Sequence, residues 1–132
     1  MGEDAIAGDV RQFVADHIDS VMMLELLLLM HANPNRQWLS KEVATEMRAD
    51  GGWVALELEE LCRRRILVCH EGPERRYRYA PADQGVARAL EALAKLYGTH
   101  RVSVIGMIFS KPVDKLRSFA EAFRFRRDKS DR

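Results

Sequence analysis

Apolar residues recur with helical spacing along most of the chain and alternate as a strand would in one short stretch. Val10, Phe13, Val14, His17 and Ile18 fall three and four apart, which predicts a helix over 9–18 with one apolar face. Asp19 and Ser20 can each cap a second helix. Residues 21–31 are apolar nearly all round, Glu25 excepted, so this helix is expected at the core. Asn33-Pro34-Asn35 ends it, because proline disfavours helical backbone at the residue before it. Ser40 is placed to cap a short helix over 41–49 with Val43, Ala44 and Met47 inward. Asp50-Gly51-Gly52 reads as a tight turn into a helix over 53–65, whose stripe is Val54, Leu58 and Leu61.

Ile66-Leu67-Val68-Cys69 is β-branched, apolar and too short for a helix, so it reads as a strand. Gly72-Pro73-Glu74 turns the chain, and 75–80 returns with Tyr77 and Tyr79 alternating against Arg76 and Arg78. The pair is a hairpin with one face on the protein and one in water. Beyond residue 82, Val86, Leu90, Leu93, Tyr97, His100, Val104 and Met107 keep spacings of four and three. They predict one long helix with a single seam, and through that seam a homodimer joined over 86–108. Gly98-Thr99 is its weak point, and a break there, with a separate segment on Val102 to Ile105 after it, is the alternative. Pro112 ends this region, and Asp114 can cap a last helix with Leu116, Phe119, Ala120 and Phe123 apolar. The arginines at 124, 126 and 127 leave that helix basic at its end.

Charge changes this picture more through placement than through amount. The 132 residues carry 21 basic and 20 acidic side chains, a net of +1, so no bulk field draws the chain to a polyanion or a membrane. Locally, 1–20 and 41–60 are acidic, whereas 61–79 and 111–132 are basic. A hydrophobic share of 47% excludes disorder, and the longest apolar run, ten residues with Glu25 inside, is far short of a membrane span. Two cysteines make no disulfide framework, and the acidic start is unlike a secretion signal, so a cytoplasmic protein is expected.

The order helix, helix, tight turn, helix, hairpin, long helix resembles a winged helix-turn-helix domain over about 20–81. Trp38-Leu39-Ser40-Lys41-Glu42-Val43-Ala44 resembles the opening of the motif's first helix. The stretch from Trp53 to Val68 resembles its second helix running into the wing. The arrangement is similar to bacterial regulators of the MarR-like and PadR-like kind. That resemblance implies an α+β, mainly α fold in three parts: an N-terminal helix (1–18), the winged domain (19–81), and a helical dimerisation arm with a basic C-terminal helix (82–132). It also implies a DNA-binding transcription regulator, with the second helix in the major groove and the wing on phosphate. The residues placed to contact DNA are Lys41, Trp53, Arg63, Arg64, Arg75, Arg76 and Arg78.

The second motif helix departs from the family pattern. Winding 53–65 at about 100° per residue puts Leu56, Glu59, Glu60 and Arg63 opposite the core stripe. Two glutamates would then face a row of phosphates, with Asp50 at the helix start. The alternative function is therefore a winged helix that binds a protein partner through Trp53, Leu56, Glu59 and Glu60.

Other chemistry has little support. Cys62, Cys69 and His70 lack the spacing of a zinc site, and the two cysteines read as buried small hydrophobes, so no metal or other cofactor is expected. The histidines at 17, 31, 70 and 100 have no nucleophile or acid at a telling spacing, and Gly51-Gly52 lacks the lysine of a phosphate loop. An enzyme is not expected.

Overall fold

The computed structural model describes residues 8–110, so Pro112, Asp114 and the basic segment around 118–127 lie outside the described residues. The order is α1 (Gly8–His17), α2 (Val21–Ala32), β1 (Trp38–Leu39), α3 (Ser40–Met47), α4 (Gly51–Arg63), β2 (Leu67–His70), β3 (Arg76–Tyr79), α5 (Gln84–Thr99) and α6 (Arg101–Phe109). Ser20 caps α2, its side chain accepting from the Met23 N–H at 3.1 Å. The greasy α2 buries Met23, Leu24, Leu26, Leu27 and Met30, while Glu25 stays exposed and accepts from the Tyr97 hydroxyl at 3.4 Å.

Two boundaries move, both for reasons of capping. Leu39, not Ser40, is the residue before α3, and the Glu42 carboxylate reaches back to accept its N–H at 2.9 Å. Asp50 caps α4 by accepting from the Trp53 N–H at 2.9 Å, so Gly51 and Gly52 form the first turn of the helix instead of a loop. Each motif helix ends in a left-handed residue, and both are arginines: Arg48 at φ 56° and Arg65 at φ 63°. After α3 the Ala49 N–H bonds the Ala44 carbonyl and the Arg48 N–H bonds Thr45. After α4 the Ile66 N–H bonds Leu61 and the Arg65 N–H bonds Cys62, the same paired closure.

The hairpin is the expected one, with Cys69 opposite Tyr77 and His70 opposite Arg76. It has a third member that the sequence did not announce. Trp38–Leu39 pairs antiparallel with β3, giving the order β1-β3-β2 and tying the α2–α3 connection to the wing. Trp38 is buried there, with the Arg36 guanidinium 3.6 Å above its ring.

The long seamed helix is corrected. His100 is non-helical at φ −130°, so the arm is two helices, with the break two residues beyond Gly98. The seam is also spent within the chain. Leu90, Leu93 and Val104 are fully buried and Tyr97 nearly so, because α5 packs on α1 and α2, and α6 on α1. Val86 and Met107 are half-buried and His100 is exposed at the break. One apolar cluster thus runs from Val10 in α1 through α2, α3 and α4 to Ile108 in α6.

Candidate nucleic-acid interface

The wing has two chemically different faces, fixed by strand alternation. Cross-strand partners share a face, so Leu67, Cys69, Tyr77 and Tyr79 lie on one side and Val68, His70, Arg76 and Arg78 on the other. Tyr77 is buried, which marks its side as the one laid on the protein. The other side carries Arg76 and Arg78, with Arg78 Nε donating to His70 Nε2 at 3.2 Å.

Glu59 does not point where helical winding alone suggested. Its carboxylate meets the inner side of the wing, accepting from the Tyr77 hydroxyl and from Arg75 Nε, with Arg75 Nη2 on its second oxygen at 3.1 Å. Hydrogen bonds from Arg75 and then Tyr77 hold its pKa below the usual carboxylate value. Tyr77 in turn is pushed up to about 12, by burial first and by Glu59 second. Arg75 also pairs with Glu71 and donates to Cys69 Sγ at 2.8 Å.

Glu60 is occupied as well. Arg63 lies 2.6 Å and Arg64 2.8 Å from its oxygens, and the Arg64 hydrogen bond holds its pKa below the ordinary value. Arg64 further contacts His17 Nδ1 at 3.2 Å, linking the end of α4 to α1. Burial, then the Arg64 charge, holds the His17 pKa below its usual value. Lys41 is exposed at the start of α3 and lies 3.7 Å from Glu74.

The residues expected to bind phosphate therefore divide. Arg63, Arg64, Arg75 and Lys41 are each ion-paired. Arg76 and Arg78, together with Arg65, are in no ion pair among the described residues. Trp53 is half-buried and Leu56 is 72% exposed, so of the four residues assigned to a protein partner the glutamates are engaged and Leu56 stands out alone. Two features escape sequence reasoning: the His17–Arg64 link and the meeting of Cys62 with Cys69. The last had a signal, since Glu59 and Cys62 are three apart on one helix face and Cys69 has the parity of the inward strand face. His70 belongs to the other face of the wing and does not join the two cysteines; no group of three metal-binding side chains is found among the described residues. Nor is any described helix long and apolar enough to cross a membrane.

No family model and no curated protein matches this chain. Solved structures do. A mutant MepR from S. aureus bound to an oligodeoxyribonucleotide is 10% identical over 86% of this chain and 83% of its own, with a TM-score of 0.54. A transcriptional regulator of the MarR family from Rhodococcus sp. RHA1 is 21% identical over 94% and 86%, with a TM-score of 0.50. Sco5413, a MarR family transcriptional regulator from Streptomyces coelicolor, is 17% identical over 92% and 89%, also at 0.50. The chain has the winged-helix fold of these regulators.

Proposed function

We propose that this protein is a DNA-binding transcription regulator that holds phosphate with its wing and acts as a homodimer. The observation that carries this reading is the distribution of charge on α4 and the wing. Glu59 and Glu60, which would repel a duplex, are each held by arginine, while Arg76 and Arg78 stand together on the outward wing face without an acidic partner among the described residues. Arg65, exposed at the end of α4, adds a third cation. The fold likeness includes a structure bound to an oligodeoxyribonucleotide, and it supports placing α4 in the major groove. A surface for the second copy is offered by α6, where Val102 is 84% and Phe109 64% exposed, one heptad apart on one side.

The test is the salt dependence of binding to a non-specific duplex. Each phosphate neutralised adds about 0.9 to the slope of log affinity against log salt. Changing Arg76 and Arg78 together to alanine is expected to weaken binding to every sequence alike and to lower the slope by about two. A native protein with no salt-dependent binding at about 50 mM salt would overturn the reading.

A further inference from the structure

We propose that Leu56 is the base-reading residue of α4 and that it selects duplexes by the 5-methyl group of thymine. The inference rests on the reading that α4 enters the major groove, and it names what the helix recognises there. Among the described residues Leu56, 72% exposed, is the most exposed large apolar side chain outside α6. Residues four apart share a helix face, so Gly52 and Leu56 lie on one line, with Gly51 and Ala55 beside it. Trp53 and Glu57, both half-buried, run along the flank, and Val54 and Leu58 are in the core. No side chain on the line through Gly52 and Leu56 can hydrogen-bond until Glu59. That carboxylate is taken by Arg75 and Tyr77.

The start of the helix leaves Leu56 standing clear. A Cβ added at Gly51 would meet nothing within 4 Å, and one at Gly52 would meet only Asp50 Oδ2, at 3.2 Å. Glycine is a poor helix former, and the fold itself has room for a side chain at 51. The bare first turn lets the α4 backbone come close to base edges, with Leu56 the first outward side chain to reach them. Asp50 accepts from the Trp53 N–H at 2.9 Å and fills the helix start, so this turn is no phosphate site.

The chemistry of the groove then selects the base. Each base pair shows a pattern of donors and acceptors there, and thymine alone adds a methyl group. Leucine can pair with none of the donors or acceptors, and covering one of them without a partner costs affinity. Covering the thymine methyl gains affinity, because apolar surface leaves water on both sides. A protein partner is the poorer match. A stable protein interface buries about 800 Å² on each side, and one leucine among glycine and alanine offers little of that.

The experiment enriches duplexes from a random pool with the full-length native protein. Each thymine of the enriched site is then replaced in turn by deoxyuridine, which removes the methyl and leaves pairing and charge unchanged. At one position at least, the replacement should lower affinity about fourfold in fluorescence anisotropy. Leu56→Ala, with helical circular dichroism unchanged, should bind the thymine and deoxyuridine duplexes nearly equally. Leu56→Gln, whose amide can pair with adenine, should enrich a different base at that position. An enriched site without thymine, replacements without effect, or a methyl preference that survives Leu56→Ala would each overturn this inference and leave DNA binding standing. A protein that enriches no duplex would overturn the DNA-binding reading itself, and this inference with it.

Discussion

Glu59 accepts from Arg75 and Tyr77 together, and this decides what its removal does. A glutamine there still accepts from the tyrosine but no longer neutralises the guanidinium. Glu59→Gln is therefore expected to tighten non-specific duplex binding and to steepen the salt slope by about one, read by fluorescence anisotropy across a salt series. Unchanged or weaker binding would show that Arg75 does not reach phosphate. His17 makes a prediction of the opposite kind, on stability. Its folded pKa is lowered from 6.5 by burial and by Arg64, so the unfolded chain takes up its proton first as pH falls. Stability from this group is full above about pH 6.5 and is lost progressively below it; Glu59 and Glu60 act in the same direction below about 4.5. The melting temperature should fall between about pH 6.5 and 5.5, and His17→Gln should flatten that part of the profile. Neither partnership was legible in sequence, because the pairs 59–75 and 17–64 are distant along the chain and meet only through packing.

The ends of helices α3 and α4 carry arginine where a left-handed backbone favours glycine. A side chain in that region costs roughly 1 kcal/mol, set against the entropy a glycine restores to the unfolded chain. Arg65→Gly is accordingly expected to raise stability by up to about 1 kcal/mol in urea denaturation while lowering the salt slope of duplex binding by about one. A loss of stability would mean that the arginine side chain contributes more than its backbone angle costs. Elements with strong local signals were legible: the apolar α2 behind Ser20, the stripe Val54, Leu58 and Leu61, and the alternation around Tyr77 and Tyr79. Two failures have physical causes. Gly51-Gly52 looked like a turn because glycine is a poor helix former, yet the Asp50 cap sets the helix start ahead of them. β1 is two residues long, with no period to read, and exists only because β3 lies beside it.

At the scale of the molecule, the break at His100 lets α6 fold back on α1, and the seam expected to join two chains is the interior of one. Mutations therefore divide by face. Leu93→Glu should unfold the protein, seen as lost helical circular dichroism, because Leu93 is fully buried. Val102→Glu should keep the helical signal and reduce the mass in light scattering from two copies to one. A dimer that survives Val102→Glu would place the partner elsewhere. The strand order has a consequence for solution behaviour. With β3 in the middle, the borders of the sheet are a strand of two residues and one of four. A foreign strand gains little by docking on so short a template, and the Gly72-Pro73 corner stops β2 from being lengthened. The wing can thus project cationic side chains into water at high concentration without offering a ribbon on which copies of the chain would stack into aggregates.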